Sequence, residues 1–205
     1  MPRAENTATT ALRAMPASVP ALRRSLARAF TDDPVALWAC PSDALRERVL
    51  RRFYRIVLRQ ALRHDEVWTD ANAAGAAIWM PPGHTHYGPL AGLELLGALG
   101  FPRLLARVPV VAAGAIKTDL AHPSKPPHWF LAALGVDPDH QGKGLGSRLM
   151  TPVLEQCDAD NIGAYLESSK EENISFYARH GFRVTRELKL PAGPVIYPMW
   201  RDPRE

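Results

Sequence analysis

Three glycines lie within five residues at positions 142–146, inside the stretch DPDHQGKGLGSRLM that runs from Asp137 to Met150. A helix that begins on glycines begins poorly, because each glycine gives up more backbone entropy on folding than any other residue. In return, the glycines let a ligand approach the start of the helix closely. The first amide N–H groups there have no partner within the helix, and the helix dipole adds partial positive charge. With the side chain of Lys143, such amides would bind a phosphate. A merely flexible turn is the alternative.

The spacing of these glycines differs from two common phosphate-binding loops. A Walker loop places four residues between its first glycine and the Gly-Lys-Ser/Thr that follows. A dinucleotide-binding loop reads G-x-G-x-x-G, whereas Gly142, Gly144 and Gly146 read G-x-G-x-G. If the loop binds phosphate, it therefore belongs to another class.

To bind phosphate in this way, the loop must follow a buried strand and lead into a helix. The nearly continuous apolar run HWFLAALGV at 128–136 is typical of a buried strand, and the loop leads into a helix that ends at about Asp158. Farther on, AYLESS predicts a strand, ENISFYARHG a short helix ended by Gly181, and FRVTRELKL with VIYPMW a closing antiparallel pair.

The first half of the chain predicts helices and a hairpin. Its expected elements are an edge strand at TALRAM, helices over about 18–30 and 42–64, and a hairpin of EVWTDA and GAAIWM. Residues 90–120 have a helical pattern broken at Gly100, Pro102 and Pro109, which predicts two or three short helices. The helix over 42–64 carries seven arginines beside an apolar face, which favours a solvated surface, with an anion-attracting patch as the alternative.

The composition excludes several classes of protein. The chain has 205 residues, 46% of them hydrophobic, so it is globular, and it has no apolar run of membrane-spanning length. Its net charge of +4 is too small to argue for a nucleic-acid partner. Two cysteines, Cys40 and Cys157, are too few for a disulfide framework. We therefore expect a cytoplasmic protein that binds neither nucleic acid nor membrane.

Two motifs resemble the GNAT family of N-acetyltransferases. Gln141-x-x-Gly144-x-Gly146, placed between a strand and a helix, resembles the loop that binds the pyrophosphate of acetyl-CoA in that family. Downstream, Asn173, Phe176-Tyr177 and Gly181-Phe182 match its Asn…Phe-Tyr…Gly-Phe ending. The resemblance is dense from about residue 127 to residue 199, and elements at similar spacing extend it over most of the chain.

The resemblance implies an α/β fold. Its mixed, mostly antiparallel sheet would have six to seven strands, would splay between the fourth and fifth, and would be flanked by helices, with a helical insertion at about 88–120. One acetyltransferase domain would cover 1–205, with the acceptor side in the N-terminal half and acetyl-CoA bound by about 127–200. The residues implied to bind acetyl-CoA, as co-substrate and without a metal, are Leu134, Gly135, Val136, Gln141, Gly142, Lys143, Gly144, Leu145, Gly146, Ser147 and Asn173.

The reaction implied is direct attack of a primary amine on the acetyl thioester, which requires two proton transfers. Glu167, on the same strand face as Tyr165, is the candidate base that deprotonates the amine, directly or through water. A salt bridge to one of the arginines is the alternative for this carboxylate. Tyr177 lies where the family has its acid, so its hydroxyl would protonate the departing thiolate, and a plain core position is the alternative.

Other residues give weaker indications. Cys157 falls on the apolar side of its helix, which argues against a covalent route, and His84 and His86 lack a metal-binding spacing. Asp32 and Asp33 either attract a cationic amine or begin a turn before Pro34.

The resemblance implies a small-molecule amine acceptor, either puromycin-like or another antibiotic or metabolite amine. The alternatives are a peptide or protein N-acetyltransferase and a non-catalytic acyl-CoA-binding module. The long segment 90–120 resembles a lid, which favours a small acceptor, and the presence of both Tyr177 and a candidate base disfavours the non-catalytic module. A homodimer stays open.

Overall fold

The sheet is built from strands whose side chains alternate between two apolar layers. The structure, a computed structural model, describes residues 10–84, 94 and 96–204. Eight strands are described: β1 Leu12–Arg13, β2 Val67–Thr69, β3 Gly75–Met80, β4 His128–Val136, β5 Gly163–Ser168, β6 Arg183–Val184, β7 Leu188–Lys189 and β8 Val195–Arg201. Along β3, Ala77 and Trp79 face one layer while Ala76 and Ile78 face the other.

The strands follow the order β1-β2-β3-β4-β5-β8-β6, and β7 also pairs with β8. Every pairing is antiparallel except the parallel one between β4 and β5. The expected α/β class with a mixed, mostly antiparallel sheet is therefore confirmed. The strand count differs, because the described residues alone form eight strands instead of the expected six to seven.

Pro198 explains why the closing pair divides into extra strands. Proline has no N–H to donate to a neighbouring strand. Its carbonyl oxygen accepts from the Thr185 backbone N–H at 2.8 Å and from the Thr185 hydroxyl at 3.0 Å, so the missing donor lies on that same edge of β8. The ladder with β8 is accordingly split into β6 before residues 185–187 and β7 after them.

The helices cover both faces of the sheet. Those of the described residues are α1 Val19–Ala29, α2 Pro34–Ala39, α3 Asp43–Ala61, α4 Val108–Ala121, α5 Leu145–Ala159 and α6 Ile174–Arg179. Buried residues of α1 and α3 form one apolar layer, and those of α5 and α6 form the other. No helix within these residues is long and apolar enough to cross a membrane.

The arginine-rich helix α3 is amphipathic, as its spacing predicts. Val49, Ile56 and Val57 are buried, while most of its arginines are partly or fully exposed. Arg46 is the exception at 5% exposed, and its guanidinium donates to the carbonyls of Cys40 and Pro41. The solvated-face interpretation is therefore the one the structure supports.

The insertion differs from the predicted pattern at Pro109. This proline lies in the first turn of α4, where its missing N–H has no helical partner to lose, so it begins a helix of 14 residues instead of breaking one. A 3₁₀ helix over Pro102–Arg107 precedes it. Residues 85–93 and 95, which include the start of the insertion predicted at about 88–120, lie outside the described residues.

Trp38 joins this insertion to the sheet. Its indole Nε1–H donates to the Pro191 carbonyl at 3.1 Å, in the turn between β7 and β8. A Cβ built on Gly114 of α4 would lie 2.5 Å from Trp38 Cη2, and one on Gly193 would lie 2.7 Å from Trp38 Nε1. Both glycines therefore leave the space that the indole fills.

Candidate active site

A cleft of about 620 Å³ opens where β4 and β5 separate. The two strands pair over only four residues, ending at Leu131 with Leu166, although β4 continues to Val136. The second half of β4 remains paired with β3 on its other edge. The separation expected between the fourth and fifth strands is thus present, and it leaves one edge of β4 facing the cleft.

A β-bulge precedes this open edge. Ile78 pairs with Ala133 but the next residue, Trp79, pairs with Leu131, so Ala132 is the extra residue. Beyond it, the Asp137 N–H donates to the Ala74 carbonyl on the β3 side at 2.8 Å.

Because the peptide groups of successive strand residues point to opposite edges, Leu134 and Val136 direct theirs into the cleft. Gly135 directs its own toward β3: its carbonyl oxygen would lie 2.7 Å from a Cβ built on Gly75. Glycine at position 135 also lets α1 pack closely against β4. A Cβ built on Gly135 would lie 2.7 Å from Phe30 Cε2 and 2.8 Å from Leu26 Cδ2.

The glycine loop connects this edge to the start of α5. Gly142 and Gly144 have φ of 75° and 72°, in the left-handed region that favours glycine, and Gly144 is the N-cap of the helix. A Cβ on Gly146 would lie 3.4 Å from the Phe176 ring, an ordinary contact. The first residues of α5, from Leu145 to Ser147, line the cleft, and their amides have no partner within the helix.

Three polar side chains of the loop have partners. Gln141 donates from Nε2 to the Val136 carbonyl at 3.0 Å, which ties the loop to the open edge of β4. The Ser147 hydroxyl lies 2.9 Å from Nε2 of His180. Lys143 donates to the Asp139 carbonyl at 3.3 Å and is the one member of the predicted acetyl-CoA set that does not line the cleft.

Asn173 lies across the cleft from the loop, where a 3₁₀ turn over Glu171–Asn173 leads into α6. Its side chain is exposed and caps no helix. Its amide is therefore free to bind a ligand in the cleft.

Glu167 lies at the end of β5 and is half-buried in the cleft wall. Its pKa is raised to about 7, chiefly by burial and to a smaller extent by the Asp119 carboxylate, against the opposing effects of the hydrogen bond from Tyr165 and the charge of Arg186. The Tyr165 hydroxyl donates to Oε1 at 2.9 Å. Within the described part of the chain no cation lies within 4.0 Å of this carboxylate, so the alternative of a direct salt bridge is not realised there.

Tyr177 projects from α6 into the same cleft and is 9% exposed. Its ring packs edge-on against Phe176 and Phe182, with centroids 5.1 and 6.1 Å away. Burial raises its pKa, and the nearby Asp33 carboxylate adds to the rise. The phenol therefore stays protonated at neutral pH, and among residues 10–84, 94 and 96–204 its hydroxyl has no hydrogen-bond partner.

Asp33 lines the cleft as the N-cap of α2, which fits the turn interpretation of its sequence. Its Oδ1 accepts from the backbone N–H groups of Val35 and Ala36 at 2.9 and 3.1 Å, and its Oδ2 accepts from the Ser169 hydroxyl. Burial raises its pKa. Asp32 pairs with Lys170 at 2.8 Å.

Several cleft residues were not identified from the sequence. They include aromatic and hydroxyl side chains that only the tertiary structure brings to the site: Phe30, Ser168, Ser169 and Phe176. Phe176 belongs to the Phe-Tyr pair of the family motif, so its place in the site could have been predicted from the sequence. The other three lie at the end of a helix or strand or directly after it, with no local pattern to distinguish them.

Cys157 lies on the buried side of its helix, as its sequence pattern predicts. Cys157 is fully buried, and burial raises the pKa of its thiol to about 12, so no reactive thiolate is available. His86 lies outside the described residues. Within the described ranges, no three His, Cys, Asp or Glu side chains are grouped so that they could hold a metal ion.

The chain is similar in sequence and in fold to known acetyltransferases. Residues 37–182 match the family model of the acetyltransferase (GNAT) family. The chain is 27% identical over 177 residues to an uncharacterized N-acetyltransferase, C550.08, of Schizosaccharomyces pombe, across 81% of this chain and 71% of the relative. It is 28% identical over 141 residues to the L-amino acid N-acyltransferase MnaT of Escherichia coli, across 67% and 81%.

A crystal structure from Corynebacterium glutamicum, named as a histone acetyltransferase HPA2 and related acetyltransferase, has a similar fold. Its TM-score is 0.68 at 23% identity, over 96% of this chain and 97% of that one.

Proposed function

The chain belongs to the acetyltransferase (GNAT) family, and from this membership we propose that it transfers the acetyl group of acetyl-CoA directly to the primary amine of a small molecule. One observation carries the proposal. The carboxyl of Glu167, with a pKa of about 7, lines the same cleft as the glycine loop, and so does Tyr177, whose hydroxyl has no partner among the described residues. A base, an acid and an anion site in one cleft are what this transfer requires.

Acetyl-CoA would bind across the two halves of this cleft. The open edge of β4 offers peptide groups at Leu134 and Val136 to the extended pantetheine arm, which would pair as a strand does. The first amides of α5 would bind the pyrophosphate, because they have no partner within the helix and the helix dipole adds positive charge. Glycine at 142, 144 and 146 keeps Cβ atoms away from that anion, and Asn173 would hold the pantetheine from the opposite wall.

The chemistry would proceed in one displacement. Glu167 accepts a proton from the acceptor ammonium, directly or through water, so that the amine nitrogen gains a free lone pair. The nitrogen attacks the thioester carbonyl carbon, and the tetrahedral intermediate collapses as the C–S bond breaks. The Tyr177 hydroxyl protonates the departing thiolate, and the second proton that the nitrogen must lose restores the Tyr177 phenol. Since the pKa of Glu167 is about 7, a large share of the carboxylates is ionised at neutral pH.

The acceptor would be small. Glu167 shares its face of the sheet with the end of α4, and Asp119 of that helix is close enough to influence its pKa, so the insertion borders the acceptor side. The Escherichia coli relative acts, by its name, on an amino acid. The segment WFLAALGVDPDHQGKGLGS also resembles the corresponding part of puromycin N-acetyltransferase, so puromycin and other antibiotic or metabolite amines are the candidate acceptors.

The test is a measurement of CoA release with acetyl-CoA and a panel of amines. The panel holds puromycin, aminoglycosides, polyamines, amino acids and short peptides. We expect release with at least one small amine and little with peptides, and loss of that release in Glu167→Gln. Release with peptides alone would overturn the small-molecule assignment, and a Glu167→Gln enzyme as active as the wild type would remove Glu167 as the base.

A further inference from the structure

We propose that Tyr165 is a positioning residue for this reaction, because its hydroxyl fixes the orientation of the Glu167 carboxylate and favours its ionised form. The inference rests on the proposed function, in which Glu167 is the base. Tyr165 does not itself line the cleft, so it would act only through Glu167, which does.

The contact between the two side chains is local and direct. Tyr165 and Glu167 are two residues apart on β5, so both project from the same face of the sheet. The Tyr165 hydroxyl donates to Oε1 at 2.9 Å, and Tyr165 is 2% exposed, so water does not compete for this bond. Oε2 has no hydrogen-bond partner among the described residues and is the oxygen left for the acceptor.

A cluster of rings fixes the position of the donor. Centroids of His122, His128 and Phe130 lie 4.7, 5.8 and 5.9 Å from that of Tyr165. The two histidines are joined by a 3.0 Å contact between their Nε2 atoms, and Nδ1 of His128 donates to the Pro126 carbonyl at 2.8 Å. A phenol packed in this way cannot swing, so its hydroxyl stays at one point and the carboxylate that it binds stays there too.

The charged groups around Glu167 define the expected effect on pH dependence. Tyr165 on β5 and Arg186 between β6 and β7 favour the carboxylate, while Asp119 on α4 and burial favour the carboxylic acid. His122 and His128 face Tyr165 from the end of α4 and from β4. Removing the hydroxyl therefore removes one of the two contributions that keep Glu167 ionised, and the base becomes active only at higher pH.

The experiment compares the pH dependence of kcat/KM for one amine in the wild type, Tyr165→Phe and the matched control Tyr197→Phe. The control removes a tyrosine hydroxyl that faces a different carboxylate, that of Glu171 at 3.5 Å. We expect the acid limb to move to higher pH in Tyr165→Phe, with kcat/KM at neutral pH lower by roughly three- to tenfold. The limb should stay in place in Tyr197→Phe.

A second replacement has the opposite expected sign and keeps the size of the ring. Tyr165→3-fluorotyrosine makes the phenol a stronger donor, because fluorine withdraws electrons, so the acid limb should move to lower pH. Melting temperature and acetyl-CoA affinity are measured for every variant, since a purely structural role would lower these without moving the limb.

A limb that stays in place in both replacements, in an enzyme that Glu167→Gln inactivates, overturns the role of Tyr165 alone. Full activity of Glu167→Gln overturns the proposed base, and the inference falls with it.

Discussion

Burial acts in the same direction on two acids of the cleft, but its chemical consequences differ. It raises the pKa of Glu167 to about 7, which brings a carboxyl into the range where a base exchanges protons at neutral pH. It raises the pKa of Tyr177 as well, and there the result is a phenol that remains a donor at every physiological pH. One physical cause thus produces an acceptor on β5 and a donor on α6.

Tyr177→Phe separates the roles of acid and core residue. The variant keeps the ring against Phe176 and Phe182 and removes only a hydroxyl that has no partner in the described structure. We expect an unchanged melting temperature and acetyl-CoA affinity, with kcat lower by roughly 10²–10⁴. Steady-state kinetics and thermal unfolding measure the two quantities. A variant that melts lower but turns over normally would leave water as the proton donor.

At the scale of elements, strands and helices were predictable because their patterns are local. The bounds of β4 match the apolar run at 128–136, since a strand buried on both faces is apolar throughout. The bulge at Ala132 and the early end of the pairing with β5 leave no such trace, because each depends on a neighbouring strand.

The same reason applies to the site. Glu167 and Tyr177 could be named from their positions in strand and motif, whereas the contact of Asp33 with Ser169 joins residues 136 positions apart. The contacts of Trp38 with Gly114 and with the turn at Pro191–Gly193 likewise join three segments that are distant in the sequence.

Gly144→Val tests the loop. A β-branched residue at φ of 72° is strained, so we expect about 1–3 kcal/mol of lost stability together with loss of acetyl-CoA binding. Gly83→Val is the matched control, because Gly83 has φ of 84°, no described atom within 4 Å of its Cβ position and no place in the cleft lining. The control should lose similar stability and still bind acetyl-CoA, as measured by calorimetric titration. Normal affinity in Gly144→Val would show that the loop does not bind the pyrophosphate.

Gly114→Ala tests the junction between α4 and Trp38. Its methyl group would lie 2.5 Å from the indole, so we expect a loss of about 1–3 kcal/mol in the free energy of unfolding. Ile116→Ala on the same helix, at a position 61% exposed, should change it by no more than about 0.5 kcal/mol. Chemical denaturation measures both. In a Trp38→Phe background the loss at Gly114 should shrink, and an unchanged loss there would mean that another contact is responsible.

At the scale of the whole molecule, ligand binding and folding are linked. Acetyl-CoA that binds only the folded chain raises its stability by about 2.7 kcal/mol at a hundredfold excess over the dissociation constant. We expect a concentration-dependent rise in melting temperature with acetyl-CoA, and a similar one with CoA, since most of the expected contacts are to the pantetheine and pyrophosphate. Scanning calorimetry measures it, and an unchanged melting temperature with millimolar ligand would contradict acetyl-CoA binding.

The raised pKa of Glu167 also lowers the stability of the folded chain at a pH above about 7. Because the pKa of Glu167 is raised from 4.5 to about 7 in the folded chain, the folded chain binds this proton more tightly than the unfolded chain does. The resulting contribution to stability is complete below pH 4.5 and is lost as the pH rises through about 7. Glu167→Gln, which carries no charge to desolvate, should therefore stabilise the chain at pH 8 by about 1–3 kcal/mol and much less at pH 5. Melting temperatures of the two proteins across this range give the difference, and a gain independent of pH would contradict it. Replacement of the proposed catalytic base would then give a protein that is more stable at pH 8 but inactive.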